Sequence, residues 1–590
     1  MSHYHIDERD MMFNLKECPG YQEIQKIEHF EDVDEDTIDM LFDQSKSFCM
    51  KVLAPILAES DRAGSRLENG KVILPESIGE AWEQYKELGL IGMCSDSTYG
   101  GGDMPHFIST PIAEMECGSF VAFSMLPLLT RGAARLIWAF GCDKMKNTYL
   151  ENMFTGHWTG TMCLTEPHAG SEVGAATTKA IPEGDHYRIT GTKIFISWGD
   201  HEFAENIIHL VLARTPGAPA GTKGLSLFVT PKMLVDENGE VAGPNAVECG
   251  NIEHKMGIKA SPTCVINFDE SVGYLVGEEG KGMRYMFQMM NEARIEVGVQ
   301  GMGLAAAAYE SARLYALERA QGSIKEAGSV RQAKIVEHED VRRMLLRMRA
   351  LVQGIRSMTY HLMYYVDMGQ HHPTDSAKYR GLADLMTPIL KSYGSDQGFR
   401  VTEMAVQVYG GYGYCQEYPV EQYLRDCKIS SIYEGTNGIQ ALDLVMRKIL
   451  MNKGENLKVW VGDVMTACEG STGTALEPLA QMLQAGAGSI GETAGYFGQI
   501  FAQGRDDLVR FHATDFQEAM GHIMVGYFLF LQASQSLKAL ENNPNAADKT
   551  FYEQKMVTAT YFFECIVPGA LAQLKVMRKG AESGLKANFA

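Results

Sequence analysis

Asn206-Ile207-Ile208-His209-Leu210-Val211-Leu212 is a run of β-branched and apolar residues, and its reading decides the fold. Four similar runs accompany it: Tyr187-Arg188-Ile189-Thr190, Ile194-Phe195-Ile196-Ser197, Leu225-Ser226-Leu227-Phe228-Val229 and Cys264-Val265-Ile266-Asn267-Phe268. Turn residues separate them at Gly184-Asp185, Gly191, Pro216-Gly217 and Asn238-Gly239. Short runs punctuated in this way predict an antiparallel sheet or barrel over residues 160–280.

Outward from this block the periodicity is helical. Residues 36–159 carry apolar residues at helical spacing, such as Ile38, Leu41 and Phe42, then Trp82, Tyr85 and Leu88. Residues 281–452 hold long helical runs, from Met283 to Ala320, Val341 to Met368 and Asp375 to Tyr409, which predict a helix bundle. A break at Asn452-Lys453-Gly454-Glu455-Asn456 leads into residues 453–590, an extra helical module ending in helices from Phe516 to Leu540 and Asp548 to Lys575. Residues 1–35 read as an irregular acidic extension. The predicted class is α+β: an N-terminal helical domain, a middle β-domain, a C-terminal helix bundle and the added module. Strands that are segregated from helices oppose a doubly wound fold. No Gly-x-Gly-x-x-Gly follows a strand and no P-loop is present.

Of 590 residues, 45% are hydrophobic and 22% charged, as in a soluble globular protein. The net charge of -21 opposes nonspecific binding to nucleic acid or an anionic membrane. The twelve cysteines form no Cys-x-x-Cys pair, so no zinc site or disulfide framework is suggested, and a reducing compartment fits. The start, Met1-Ser2-His3-Tyr4-His5-Ile6-Asp7-Glu8, lacks the pattern of a signal peptide. The most apolar stretch, around Phe120 to Leu129, reads as too short to span a bilayer. A cytoplasmic protein without membrane insertion is expected.

Five stretches can carry chemistry. In Ile432-Tyr433-Glu434-Gly435-Thr436-Asn437-Gly438-Ile439-Gln440 a carboxylate sits on a turn before an apolar helix, where a general base can project into a pocket. The same string reads as a helix start with Thr436 as N-cap. Thr161-Met162-Cys163-Leu164-Thr165-Glu166-Pro167-His168-Ala169-Gly170-Ser171-Glu172-Val173-Gly174 gathers hydroxyls, glycines and backbone amides that suit phosphate or the edge of a ring cofactor, or an ordinary loop. Lys193-Ile194-Phe195-Ile196-Ser197 puts an aromatic ring and a hydroxyl two residues apart on one face of a strand. Arg294 and Arg319, on one helix, suit an acid or a phosphate. Gln407-Val408-Tyr409-Gly410-Gly411 ends a helix with glycines that cap it or admit a ligand.

In this order, together with Arg425-Asp426-Cys427-Lys428-Ile429, these stretches resemble the acyl-CoA dehydrogenase family over about residues 36–452. The added module, Gly199-Asp200-His201 and Gly221-Thr222-Lys223-Gly224 resemble its long bacterial branch. The resemblance implies FAD-dependent α,β-dehydrogenation of an acyl-CoA thioester to the trans-2-enoyl-CoA, with hydride passing to flavin N5 and electrons to an electron-transfer flavoprotein. It implies Glu434 as the α-proton base, its proton affinity raised by burial. The Glu434 backbone N–H, with a flavin hydroxyl, would stabilise the enolate-like oxygen. Met162, Leu164, Thr165, Phe195 and Ser197 match flavin contacts, with Phe195 where the family usually has Trp. Ser171 matches a residue near the flavin phosphates and the CoA chain. Asn291, Arg294, Tyr433 and Gly435 match the substrate channel. Arg319, Gln407, Gly410 and Gly411 match residues that hold the FAD of a neighbouring subunit, so a homodimer is implied, and Thr436 completes the phosphate contacts. No metal is implied.

Some family members carry the base one residue before the helix arginine, where this chain has Ala293, and this supports Glu434. Glu292 and Glu296 point away from that direction at about 100° per residue. Gly438 stands where many members have a larger polar residue. An acyl-CoA oxidase, discharging to oxygen, uses the same base. A DNA-associated homologue needs a basic surface, which the net charge opposes.

Overall fold

The computed structural model of the chain describes residues 4–18, 20–326 and 328–590. The chain forms two compact units. The first comprises residues 36–104 and 115–296; the second comprises residues 4–35, 105–114 and 297–590.

The first unit is built on a seven-stranded sheet: β1 (Trp158–Cys163), β2 (Lys179–Glu183), β3 (His186–Ser197), β4 (Asn206–Arg214), β5 (Leu225–Pro231), β6 (Val247–Ile252) and β7 (Thr263–Val276). The order is β6-β7-β3-β2-β4-β1, and β5 pairs with both β7 and β4, so five strands close on themselves as a barrel. Cys163, Ile189, Ile196, Val211, Phe228, Cys264 and Phe268 fill its core.

Two expectations for this sheet are corrected. It is mixed rather than antiparallel, because β1 runs parallel to β4 from Trp158↔Asn206 to Cys163↔Val211. The chain makes β2 and β3 before returning, a connection long enough for parallel pairing. Gly191 is not a turn; it lies inside the continuous strand β3. A Cβ there would sit 2.9 Å from Thr178 Cα, so the residue serves close strand approach.

The helical elements include α1 (His106–Phe140), α2 (Gly282–Glu318), α3 (Glu339–His371), α4 (Ser376–Tyr409), α5 (Asn437–Leu442), α6 (Asp506–Glu541) and α7 (Ala546–Cys565). In the second unit α2 and α4 cross on glycine: a Cβ on Gly394 would come within 2.8 Å of the Gly298 carbonyl.

Three further expectations fail there. Helical structure does not run unbroken to Asn452: strands Ala320–Glu326 and Ser329–Lys334 form a hairpin after α2. Gly322, with φ of +75°, sits at a register shift in the first strand, and Gly328, with φ of +86°, lies between the two strands. The last helix breaks between Cys565 and Val567, just before Pro568, which has no N–H to continue it. The extension before residue 36 is not irregular: it carries helices at Glu8–Met12 and Tyr21–Ile24, with Asp10, Met11, Phe13 and Leu15 buried.

Phe120–Leu129 is also part of something longer than it reads. Two helical spans among the described residues, His106–Phe140 and Ala546–Arg578, are long and apolar enough by length and composition to cross a membrane. The apolar window of the first is 94% buried, which identifies it as a core helix.

Candidate active site

The first unit contributes a loop and a strained strand. Half-buried Met162 lies near the end of β1, after which the chain passes through buried Leu164 and half-buried Thr165 to the exposed Ser171. Glu166 organises this loop from below. Its carboxylate accepts from the Thr177 N–H at 2.7 Å and hydroxyl at 2.9 Å, and from the Thr178 N–H at 3.0 Å and hydroxyl at 2.6 Å. Lys193 Nζ, fully buried, donates to it at 2.9 Å and to the Leu164 carbonyl at 3.0 Å. Burial opposes the charge on Glu166, but Lys193 and the threonine donors outweigh it and hold the carboxyl at about 2.

A depressed carboxyl stabilises the fold above its ordinary value of 4.5, and the contribution is lost as pH falls toward 2. Glu166→Gln is expected to flatten this acid limb and to cost roughly 3 kcal/mol near neutral pH, because Lys193 stays buried without its counter-ion. Urea denaturation of both proteins across the acid range measures this. Unchanged acid sensitivity in the variant would contradict the role.

The Ile194 N–H donates to the Thr165 carbonyl at 2.9 Å, which ties β3 to the loop. Phe195 then takes φ of +59° and leaves its ring 58% exposed. For an aromatic residue this backbone is an outlier, and such strain clusters where ligands are held. Its source is a bulge: opposite β7 the register jumps between Cys264↔Ile196 and Ile266↔Lys193. Buried positions on β3 therefore switch from Lys193 to Ile196, three residues on, and simple alternation does not carry through Phe195 and Ser197. Trp198 is also left-handed at φ +52° and donates its indole N–H to the Ala122 carbonyl at 3.1 Å. A ring face at Phe195 beside part-exposed Thr165 and Ser197 fits the edge and face of a flat cofactor.

On α2, buried Arg294 donates to Asn291 Oδ1 at 3.2 Å. The flanking carboxylates are engaged elsewhere: Glu292 faces Arg135 at 3.7 Å and Glu296 faces Arg131 at 4.0 Å.

The same unit holds a recess of about 780 Å³ that the sequence reading missed. Lys223, Lys281 and Arg284 line it, together with Thr215 and Thr222. Its one carboxylate, Glu279, accepts from the Tyr187 hydroxyl at 2.8 Å and the Thr215 hydroxyl at 3.1 Å. Three cations around one engaged acid, in a chain of net charge -21, fit a phosphate-bearing ligand. Lys223 lies 58 residues before Lys281, so the cluster as a whole gives no local signal.

The second unit contributes the Glu434 turn. Glu434 is half-buried and takes φ of +56°, with Gly435 at +84°. The turn is fastened on several sides. The Tyr433 hydroxyl donates to Gln300 Oε1. Gln440 Nε2 donates to the carbonyls of Glu434 and Gly435 at 3.2 and 3.3 Å. Lys391 Nζ donates to Asn437 Oδ1 at 2.9 Å, and Asn437 Nδ2 to Ser395 Oγ at 3.0 Å. Thr436 is the N-cap of α5, its hydroxyl accepting from the Ile439 N–H at 3.4 Å. The helix-start reading holds at Thr436, with Glu434 two residues before that cap in left-handed backbone.

Arg319 follows the end of α2 and makes no ion pair among the described residues. Gln407, Gly410 and Gly411 are exposed at the end of α4. Gly410 takes φ of +63°, and a Cβ on either glycine would meet nothing within 4 Å. A guanidinium without an ion pair beside open backbone fits a diphosphate. Of the expected set, Met162, Leu164, Thr165, Phe195 and Ser197 belong to one unit, and Arg319, Gln407, Gly410, Gly411 and residues 433–436 to the other.

Comparison with known proteins gives four domain matches. They are acyl-CoA dehydrogenase N-terminal domain over residues 35–157, middle domain over 161–271, C-terminal domain over 280–450, and acetyl-CoA dehydrogenase C-terminal-like over 460–587. The 3-methylmercaptopropionyl-CoA dehydrogenase of Ruegeria pomeroyi is 36% identical over 593 residues, covering 99% of this chain and all of the relative (100%). A butyryl-CoA dehydrogenase of Syntrophomonas wolfei is 36% identical over 595 residues, covering 98% of this chain and 97% of the relative. An FAD-complexed acyl-CoA dehydrogenase structure from Bacillus anthracis shares the fold at 21% identity, with a TM-score of 0.74 over 98% of this chain and 92% of that one.

Proposed function

This chain belongs to the acyl-CoA dehydrogenase family and is an FAD-dependent oxidoreductase, and from that premise we propose that Glu434 is the base that removes the α-proton of an acyl-CoA thioester. The observation that carries the reading is the Glu434 turn: a carboxylate held with left-handed backbone by Gln300, Lys391 and Gln440 on packed helices. Such a turn fixes the carboxylate at small reorganisation cost. Bound FAD supplies the acceptor for the β-hydride, leaving the trans-2-enoyl-CoA.

The other residues bind and orient. The Glu434 N–H donates to the thioester oxygen as negative charge develops there. Tyr433, Gly435, Asn291 and Arg294 line the path of the substrate. The cations Lys223, Lys281 and Arg284 receive its phosphates. Met162, Leu164, Thr165, Phe195 and Ser197 hold the flavin ring, while Ser171 and Thr436 approach its phosphates. Arg319, Gln407, Gly410 and Gly411 hold the nucleotide end of the FAD of a second protomer, so the active form is a homodimer. Residues 453–590 pack across that dimer, and electrons leave to an electron-transfer flavoprotein. Twelve free cysteines support a reducing compartment, the cytoplasm.

The test is turnover of butyryl-CoA and 3-methylmercaptopropionyl-CoA with an electron-transfer flavoprotein, in the presence and absence of oxygen. We expect an enoyl product lighter by two hydrogens in both cases. A product formed only with oxygen, with peroxide, would make the enzyme an oxidase and overturn the acceptor.

A further inference from the structure

We propose that Tyr412 is a positioning residue that holds Arg319 ready for the FAD diphosphate; the inference rests on the Arg319 reading above. The Arg319 guanidinium lies 5.3 Å from the Tyr412 ring centroid. The chain contains 74 acidic residues, yet among the described residues Arg319 pairs with none of them. An exposed arginine in such a chain ordinarily finds a carboxylate, and a carboxylate would compete with an incoming phosphate. A ring face attracts the cation without neutralising it, and leaves its N–H donors free.

The ring itself is supported. Tyr412 packs on Tyr418 at 5.2 Å, and Tyr418 on Tyr409 at 5.7 Å. Tyr409 stacks on Tyr315 at 4.1 Å and 12°. The Tyr409 hydroxyl donates to the Ser311 carbonyl on α2 at 3.2 Å, and the Arg319 N–H donates to the Tyr315 carbonyl at 2.8 Å. The ladder therefore runs from Arg319, just past the end of α2, back onto α2 at Tyr315 and Ser311. It joins the end of α2 to the Gly410–Tyr414 turn, where Gly410 and Gly411 leave backbone open. A guanidinium fixed in this way loses less side-chain freedom on binding phosphate than one free in solvent.

The experiment is fluorescence titration of each apoprotein with FAD, at low and moderate salt, for wild type, Tyr412→Leu, Tyr412→Phe and Arg319→Ala. We expect Tyr412→Leu to weaken FAD binding about three- to fivefold, as loss of an exposed cation–π contact implies, and Tyr412→Phe to bind as wild type does. Arg319→Ala should weaken it more and reduce the salt dependence. Thermal melts of the four apoproteins show whether folding is shared. Wild-type affinity in Tyr412→Leu, with Arg319→Ala weakened, overturns the positioning role and leaves the Arg319 reading intact. Equal losses in Tyr412→Leu and Tyr412→Phe assign the effect to the hydroxyl and also overturn it. Unchanged affinity in Arg319→Ala removes the FAD contact and the proposal together.

Discussion

Glu434→Gln is expected to keep FAD and acyl-CoA binding and to lose turnover by about three to four orders of magnitude. The amide is isosteric and can occupy the same turn, because the bonds that fasten it run through Tyr433, Asn437 and the backbone carbonyls that Gln440 reaches. What the variant lacks is the ability to accept a proton. The alternative carboxylates beside Arg294 on α2 already face cations, Glu292 facing Arg135 and Glu296 facing Arg131. Single-turnover reduction of the flavin reports the chemical step separately from binding. A variant that retains a tenth of the wild-type rate places the base elsewhere, and Glu292 and Glu296 become the residues to replace.

The second large effect concerns stability. Asp10 is fully buried in the second unit between Arg356 and Lys555, with which it forms ion pairs. Arg356 Nε also meets both oxygens of Glu114 at 3.0 Å, and Lys555 donates to Gln532 Oε1 at 3.2 Å. Burial opposes the Asp10 charge, but Lys555 and Arg356 overcome it and hold its carboxyl below the ordinary value. Asp10→Ala leaves buried Lys555 without its ion-pair partner and Arg356 with Glu114 alone, and is expected to cost about 3–5 kcal/mol. Asp548, one-third exposed and paired with Arg9 at 3.1 Å, provides the contrast: Asp548→Ala should cost less than about 1 kcal/mol. Urea denaturation measures both. Equal costs would mean that the buried network does not anchor the N-terminal segment.

The long helices were legible because apolar spacing and glycine stops agree. The expected run Asp375 to Tyr409 lies within a residue of the observed Ser376–Tyr409, and Met283 to Ala320 is close to Gly282–Glu318. The N-terminal segment was not legible, because Asp10 reads as a surface charge until it meets Arg356 and Lys555, 346 and 545 residues away. The parallel pairing of β1 with β4, the bulge at Phe195 and the basic recess have the same origin. Each is fixed by a partner distant in sequence. Within the site, the Glu434 turn could be read locally because the N-cap and its glycine are adjacent. The left-handed backbone at Glu434 could not, since the flanking residues permit several turns.

The most direct measurement is an anaerobic titration of the purified protein and Glu434→Gln, side by side, with a panel of acyl-CoA thioesters while the flavin absorbance is followed. The account predicts that at least one acyl chain bleaches the wild-type flavin at once, while the variant binds the same thioester and stays oxidised. A wild-type flavin that no acyl-CoA reduces, or a variant that bleaches as fast as wild type, would contradict it.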